Sequence, residues 1–509
     1  MLKMFKMDKL SFQRWWVNMK YINKTIEELH DLLVAKVVTP LDLVKEAIEE
    51  LKKEETNAIE TLCEKEALEF ASTLVEPEVD NLLWGIPYVC KDNFSTKDIL
   101  TTASSNILHD YIPCFDATVI KKLKEKKAVL LCKTTLDELA MGGTGTTGHK
   151  GITYNPYDPT HSYKMGGSSC GSASLIAQGI SPLGLGSDTG DSVRKPASYG
   201  ALVGLKPTWG RISRFGLFPF APSMDHVAYF TRSVKDSAIV LENIAGEDLY
   251  FDATSSTKPV DNYYSKIDGN IKGKKIALIK EINECVKDQP ILDGIEKCKK
   301  ILEDKGAIVE VISYPRNLLA AVYPVYMIIS CAEATSNNAN LDGIKFGLRE
   351  GNEKSYQEVM MNARTKGFCE LIRRRFVIGS YSLFKDNQEE LFIRAQKIRH
   401  LIVDKYNEVL SSFDAVLTPC GGIIRNPIDG KDDDASRTEV DKMIIENHMG
   451  IGNFGGFPSL SLPIGFDNGF PFGGNLTSKP FDEVTLFNIA YALENELGYK
   501  NVTAKGGQN

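Results

Sequence analysis

The sequence predicts an α/β protein in which helices are layered on a mainly buried central sheet. Two observations lead to this class. Short apolar runs alternate with amphipathic helical segments from one end of the chain to the other, as in layered α/β proteins. The 509 residues are 43% hydrophobic and 25% charged, so the chain can form a large core without disulfide bonds.

The individual elements follow from the hydrophobic pattern. Helical periodicity appears twice in residues 24–52 and is interrupted at Thr39 and Pro40, which predicts a helical hairpin. Later runs predict strands at 82–94, 128–132, 274–280, 307–312 and 415–419, and helices at 117–127, 291–306 and 481–497.

Four segments are predicted along the chain. They are an extension at 1–22, expected to be disordered; the helical hairpin at 23–72; a main domain at 73–500; and a tail at 501–509, also expected to be disordered. The main domain is expected to contain a helical and strand insertion around 280–400. The polar stretch 252–270 is typical of a linker ahead of that insertion.

Charge and cysteine usage exclude several classes of protein. The net charge of −7 argues against a chain coated in basic surface for nucleic acid. The ten cysteines form no CxxC pair, which indicates a reduced intracellular protein without a zinc or dithiol site. The run GKDDDASR at 430–437 is typical of a solvated loop, because adjacent aspartates do not share a face. We expect no metal site.

Targeting signals are weak. No apolar run reaches the ~18 residues of a membrane span, so we expect no membrane segment. The first 20 residues lack the apolar core and cleavage site of a secretory signal. An organelle transit peptide and a true start at Met19 are the alternatives for this segment. We expect a bacterial cytoplasmic protein.

The first of two segments rich in glycine and serine is MGGSSCGSASLIAQG, residues 165–179. A helix is expected to begin near Gly171 or Ser172, with free N–H groups in the loop before it. That loop could be a simple turn and cap, or a phosphate site, although it lacks GxxxxGK[ST]. It also contains GxSxG, which would make Ser169 the nucleophile of an α/β-hydrolase. That nucleophile needs a histidine, for which the candidates are His226, His400 and His448.

The second segment, GSDTGDSVRKPASYG at 186–200, suggests acyl transfer. Backbone N–H groups of residues 189–192 could converge on an oxyanion beside the hydroxyl of Ser192. A serine needs a base, and Lys91 is a candidate because it follows an apolar run at a strand end. Its pKa would have to fall from about 10.4 toward ~7–8. The alternatives are an ordinary surface loop and a lysine that emerges into solvent.

These motifs resemble the amidase signature family. GIPYVCKDNF, MGGSSCGSAS and GSDTGDSVRKPAS carry the resemblance, which extends from about residue 24 to 497. It implies the amidase signature fold, a central mixed β-sheet flanked by α-helices in three layers. It also implies a Ser–cis-Ser–Lys triad with Ser192 as nucleophile, Ser168 as bridge and Lys91 as base. The implied oxyanion donors are the backbone N–H groups of Thr189, Gly190, Asp191 and Ser192.

The resemblance is strongest to the branch that hydrolyses glutamine for tRNA-dependent amidation. It implies that Arg375 binds the glutamine α-carboxylate, that Tyr326 lines the same pocket and that Glu446 binds the α-amino group. The alternatives are a solvated or RNA-facing arginine helix and a tyrosine of the core.

The same branch implies partners. They are a large B subunit, which binds tRNA, ATP and Mg²⁺, and a small C subunit. The two subunits and this chain would form a heterotrimer. The expected substrates are glutamine and, through the partner, Glu-tRNA(Gln), with Asp-tRNA(Asn) as a second candidate; no cofactor is implied in this chain. Two other functions stay open: a stand-alone amidase for another small or acyl amide, and a scaffold whose site has decayed.

The sequence departs from the family pattern within or next to the two segments rich in glycine and serine. Cys170 and Asp191 stand where glycines are common, and Gly200 and Ala201 replace a Cys-Gly pair. The carboxylate of Asp191 would disfavour an oxyanion if it pointed inward, and would favour Lys91 or Arg194 if it pointed away.

Overall fold

The computed structural model describes residues 20–430 and 438–505. In this part of the chain eleven strands form one sheet in the order β1-β3-β2-β4-β6-β5-β10-β11-β9-β7-β8. The strands are β1 Ile59–Leu62, β2 Pro87–Lys91, β3 Val129–Thr134, β4 Leu183–Asp188, β5 Val203–Lys206, β6 His226–Thr231, β7 Lys275–Ile279, β8 Ile308–Ile312, β9 Ala415–Pro419, β10 Ser459–Asp467 and β11 Phe470–Ser478.

The helices flank this sheet. They are α1 Ile26–Val34, α2 Pro40–Leu51, α3 Glu64–Thr73, α4 Thr118–Glu125, α5 Cys170–Ala177, α6 Arg194–Tyr199, α7 Val234–Ile244, α8 Lys280–Asn283, α9 Gln289–Asp304, α10 Arg316–Asn337, α11 Tyr356–Gly367, α12 Glu370–Leu383, α13 Arg394–Ser412, α14 Glu439–Asn447, α15 Ile451–Phe454 and α16 Glu483–Leu497. Short 3₁₀ turns lie at Asn106–Leu108, Glu138–Ala140, Tyr264–Lys266 and His448–Gly450, and a π turn at Glu389–Ile393 leads into α13.

The sheet is mixed. β2 runs parallel to both β3 and β4, whereas β6 is antiparallel to β4 and β5. At the other end of the sheet, β7 runs parallel to β8 and β9. The predicted fold class, a mixed sheet with helices packed on it, is confirmed. Because β2 and β4 are parallel neighbours, their carboxyl ends meet at the same edge of the sheet.

The predicted strand at 82–94 is longer than the observed β2. Residues 82–85 form a turn, in which Gly85 has a φ of 71°. A side chain at Gly85 would also collide with Pro40, because an ideal Cβ atom there would lie 2.7 Å from the proline Cγ. The strand therefore starts after the glycine and ends at Lys91. The strand predicted at 415–419 coincides with β9.

The N-terminal hairpin is formed by α1 and α2. Each helix begins with a capping box, in which the N-cap threonine and an acidic residue three positions later exchange hydrogen bonds. Pro40 occupies the first turn of α2, where its missing N–H leaves no helical bond unmade. The cap at Thr39 and the proline at position 40 thus explain the interruption between the two periodic segments.

Parts of the predicted extension and tail lie within the described residues. Ile22 is buried, Asn501 donates its backbone N–H to the Arg232 carbonyl at 2.8 Å, and Ala504 donates to the Ala177 carbonyl at 2.8 Å. The rest of both segments, and residues 431–437 of the predicted solvated loop, lie outside the described residues.

Between β8 and β9 the chain forms the helices α10 to α13, whose buried side chains share a hydrophobic core with Ala277 and Ile279 of β7 and Val416 of β9. α10 packs against α12, α13 and α14 and contributes Val325 and Ile329 to a second hydrophobic core. Within residues 20–430 and 438–505, α10 alone is long and apolar enough to cross a membrane, although the sequence pattern predicts no such segment. It packs against α12, α13 and α14, and 44% of its most apolar stretch is buried.

Helix α5 approaches the sheet closely because its sequence is made of small residues. An ideal Cβ atom on Gly171 would lie 2.5 Å from the Ala58 carbonyl oxygen, and one on Gly184 of β4 would lie 2.8 Å from Ile176. Any larger residue at these two positions would push the helix away. The close contact fixes the start of α5 beside the carboxyl ends of β2 and β4.

Candidate active site

Three elements bring the predicted triad residues together at this edge. Lys91 is the last residue of β2, Ser168 precedes α5 by two positions, and Ser192 follows β4 by four. The peptide bond between Gly167 and Ser168 is cis, as the resemblance implies. Sheet topology and the packing of α5 therefore bring segments that are about a hundred residues apart in sequence to the same edge of the sheet.

The amine of Lys91 lies at hydrogen-bond distance from three serine hydroxyls. Its Nζ is 2.7 Å from Ser168 Oγ, 2.9 Å from Ser169 Oγ and 2.9 Å from Ser187 Oγ. The lysine is fully buried, and among the described residues no carboxylate makes an ion pair with it. A buried lysine without an ion pair loses its proton more easily than an exposed one, because burial disfavours the charged form.

Burial lowers the pKa of Lys91 from 10.5 to about 7, which the nearby acidic groups oppose only in part. A shift of this size corresponds to about 5 kcal/mol of lost preference for the charged form. At neutral pH a large fraction of Lys91 is therefore unprotonated and can accept a proton.

Ser192 lies beside the segment that carries the bridging serine. The backbone N–H of Ser169 donates to the Ser192 carbonyl at 3.2 Å, so the two segments are adjacent. Ser192 is buried, and its hydroxyl makes no hydrogen bond to another described residue. Within residues 20–430 and 438–505, the backbone N–H groups of residues 189–192 donate to no other group.

A buried ion pair sets the direction of these N–H groups. Arg194 donates from Nη2 to Asp188 Oδ1 at 2.9 Å and to the Gly190 carbonyl at 2.6 Å. Asn453 adds a hydrogen bond to Asp188 at 3.0 Å. Because the C=O and N–H of one peptide unit point in opposite directions, fixing the Gly190 carbonyl turns the N–H of Asp191 to the other side. The loop thus presents donors that no described residue engages, as an oxyanion hole requires.

Tyr326 of α10 and Arg375 of α12 lie on one side of this loop. An ideal Cβ on Gly190 would lie 3.2 Å from the Tyr326 ring, so the ring covers the glycine closely. Phe220 contacts both residues, with the Arg375 guanidinium 5.6 Å and the Tyr326 ring 6.3 Å from its centre. The Nε of Arg375 is buried and has no partner among the described residues. A guanidinium with an unused donor suits a carboxylate ligand.

The carboxylate of Glu446 already forms an ion pair with a lysine of the same chain. Its Oε2 is 2.6 Å from the Nζ of Lys195, which also donates to the Glu446 carbonyl at 2.9 Å. Neither distance tests the predicted role in binding the α-amino group. That role stays a prediction, with Lys195 as an additional partner of the carboxylate.

The side chain of Asp191 points toward neither of its two predicted partners. Arg194 is engaged by Asp188, and the nearest cation to the Asp191 carboxylate is Lys195, at 3.6 Å. Burial raises the pKa of Asp191, and the neighbouring Lys195 opposes that rise. Cys170, another departure, is buried, and burial raises the pKa of its thiol to about 12.

Three groups beside the triad make contacts that the sequence does not indicate. Ser187 and Ser169 each hydrogen-bond Lys91, although the motifs give Ser187 no role and suggest Ser169 only as a nucleophile. Asp137 accepts hydrogen bonds from backbone N–H groups of residues 144–147, and its own N–H donates to the Ser168 carbonyl at 3.2 Å. Asp137 belongs to none of the motifs, and the sequence shows it only as an aspartate that follows a predicted strand.

The geometry does not support the α/β-hydrolase alternative. His226 contacts Lys206 and Met224, His448 contacts Thr418 and two carbonyls, and His400 is exposed beside Asp404. None of the three contacts Ser169 among the described residues. In residues 20–430 and 438–505 no group of three or more His, Cys, Asp or Glu side chains could hold a metal ion.

Comparison with known proteins identifies the family. The family model described as Amidase matches residues 42–487, which is most of the chain. The chain therefore belongs to the amidase signature family, as its motifs predict.

Several relatives share one name. Proteins named as the A subunit of glutamyl-tRNA(Gln) amidotransferase, from Streptococcus pneumoniae and Streptococcus thermophilus, are each 39% identical to this chain over 487 residues. Each of these matches covers 94% of this chain and 98% of the relative. The solved structure of the A subunit from Thermotoga maritima is 33% identical, with a TM-score of 0.77 over 94% of this chain and 96% of that one. The peptide amidase of Stenotrophomonas maltophilia is 25% identical, with a TM-score of 0.77 over 93% of this chain and 97% of that one.

Proposed function

We propose that this chain is the glutaminase subunit of a tRNA-dependent amidotransferase. It hydrolyses glutamine and supplies ammonia for the conversion of Glu-tRNA(Gln) to Gln-tRNA(Gln) in translation, with Asp-tRNA(Asn) as a second candidate substrate. The observation that carries the proposal is the buried Lys91, bonded to Ser168 beside Ser192, on a chain 39% identical to proteins named as the A subunit of that enzyme.

The first half of the reaction forms an acyl-enzyme. Neutral Lys91 takes the proton of Ser168, which takes the proton of Ser192 as its Oγ attacks the amide carbon of the glutamine side chain. The N–H groups of residues 189–192 hold the oxyanion that develops. The proton stored on Lys91 returns through Ser168 to the leaving nitrogen, the C–N bond breaks and ammonia departs.

The second half releases glutamate. Water attacks the γ-glutamyl ester on Ser192 while the Lys91–Ser168 pair accepts its proton, and that proton then returns to the Ser192 oxygen as the ester bond breaks. The balance is one glutamine and one water consumed for one glutamate and one ammonia. No cofactor takes part in this chain, and ATP and Mg²⁺ act on the large partner.

The partners are the large B subunit and the small C subunit, which with this chain form a cytoplasmic heterotrimer in a bacterial cell. The large partner holds the tRNA. The acidic net charge of −7 supports a chain that leaves most RNA contacts to its partner.

The test is glutamine-dependent formation of Gln-tRNA(Gln). The tagged chain is purified from its host with whatever proteins accompany it, and the complex is assayed with Glu-tRNA(Gln), ATP and either glutamine or ammonium chloride. We expect one large and one small partner and activity with both nitrogen donors. A chain that purifies alone, or a complex that uses ammonium chloride but never glutamine, would contradict the proposal.

Arg375 provides a test of substrate choice. We expect Arg375→Lys to raise KM for glutamine about 10- to 100-fold with a smaller change in kcat, because lysine keeps the charge but loses the two-pronged contact with a carboxylate. Steady-state ammonia release measures both constants. Arg373→Lys on the exposed face of the same helix is the matched control, and it should leave KM as it is. An equal effect of both variants would assign the effect to α12 and not to the pocket.

A further inference from the structure

A cluster of three charged side chains includes Asp191 of the nucleophile loop, residues 189–192. Lys195 Nζ is 2.6 Å from Glu446 Oε2 and 3.6 Å from Asp191 Oδ2. The side chains of Lys195, Asp191 and Glu446 are 9%, 21% and 26% exposed, so little water screens them. The cluster therefore combines two carboxylates with a single ammonium.

The position of Asp191 makes this arrangement matter for catalysis. Asp191 immediately precedes Ser192, and its backbone N–H is one of the proposed oxyanion donors. A carboxylate beside a developing negative charge raises the energy of the transition state, most strongly where the surroundings are poor in water. The residue next to the nucleophile therefore carries a negative side chain in a loop where the reaction also creates a negative charge.

Lys195 is geometrically suited to offset that charge. It lies one helical turn after Asp191, and its backbone N–H donates to the Asp191 carbonyl at 2.9 Å. Burial lowers the pKa of Lys195, but the carboxylates of Glu446 and Asp191 outweigh burial and raise it above that of a free lysine. Lys195 therefore stays charged at neutral pH, where a large fraction of Lys91 is neutral.

The other cations around the loop are differently placed. Arg194 is fully buried and binds Asp188 and the Gly190 carbonyl. Lys164 donates from Nζ to Asn426 Oδ1 at 3.3 Å, and burial lowers its pKa. Lys91 must be neutral to act. Among these cations only Lys195 makes an ion pair with Asp191.

We infer that Lys195 is a positioning residue, whose ammonium holds the Asp191 carboxylate away from the oxyanion and neutralises it. The inference rests on the proposed function, because it concerns the hydrolysis of glutamine at Ser192. It explains how this chain combines an aspartate next to the nucleophile with a working site.

The test is a double-mutant cycle with kcat and KM for glutamine. We expect Lys195→Met to lower kcat about 10- to 100-fold with less change in KM, because the oxyanion exists only in the transition state. Adding Asp191→Gly to that variant should restore at least half of the lost kcat on a logarithmic scale. Lys195→Arg should keep most of the activity, since it retains the ion pair.

The outcomes separate this inference from simple structural roles. If Lys195 only anchored the Glu446 segment, Asp191→Gly would not rescue Lys195→Met, and the inference would be overturned. Lys195→Met/Glu446→Gln serves as the matched control, since it removes the other carboxylate. Rescue by this control but not by Asp191→Gly would also contradict the inference. Thermal unfolding of each variant identifies any loss of folding, and an inactive wild-type complex would contradict the proposed function instead.

Discussion

Replacing Ser192 by alanine is expected to lower glutamine hydrolysis by about 10⁴-fold or more, because the acyl-enzyme then has no oxygen on which to form. The fold should survive, since the Ser192 hydroxyl makes no hydrogen bond to another described residue. Ammonia release from glutamine measures the loss. The Ser192→Ala complex should still form Gln-tRNA(Gln) from ammonium chloride, which bypasses the glutaminase site.

Ser169→Ala is the matched control for that experiment. Ser169 is the serine of the GxSxG pattern and contacts Lys91 at 2.9 Å, but no histidine among the described residues lies beside it. We expect a loss of about 10-fold, as for one hydrogen bond to a functional group. A larger loss of activity in Ser169→Ala than in Ser192→Ala would indicate that Ser169, and not Ser192, is the nucleophile. Equal ammonia release by Ser192→Ala and wild type would indicate a scaffold.

The strands and helices could be predicted because they depend on local patterns. An apolar run that ends at a charged residue predicts β2, and a run rich in small residues predicts the start of α5. Lys91 is therefore expected at the end of a strand, and Ser168 just before the start of a helix. Parallel pairing of β2 with β4 then brings Lys91 to the loop of Ser192. The identification of the roles, however, comes from the resemblance and not from periodicity.

The charge cluster could not be predicted, because it depends on tertiary contacts. Lys195 and Glu446 are 251 residues apart, and nothing in either local sequence indicates that they pair. The sequence allows Asp191 to face Lys91 or Arg194, yet Arg194 is held by Asp188 and Lys195 takes its place. Ion pairs of long side chains depend on rotamers and packing, which a pattern of residue types does not encode.

The buried lysine is the second site at which a large effect is expected. We predict that Lys91→Met lowers kcat/KM for glutamine by about 10³-fold or more, because methionine fills similar space but cannot accept a proton. Lys91→Arg should be equally inactive, since a guanidinium stays protonated in proteins. Both variants are measured by ammonia release, with thermal unfolding as the check on the fold.

The pH dependence of the wild-type enzyme tests the same residue without a substitution. The pKa of Lys91 is lowered to about 7, and only its neutral form accepts the Ser168 proton. As the pH falls below that value Lys91 gains a proton, so kcat/KM should fall about tenfold per pH unit and level off above it. A profile that stays flat from about pH 6 to 9 would contradict a lysine base. So would a fall in activity on the alkaline side alone, because that pattern requires a protonated group and the mechanism requires an unprotonated one.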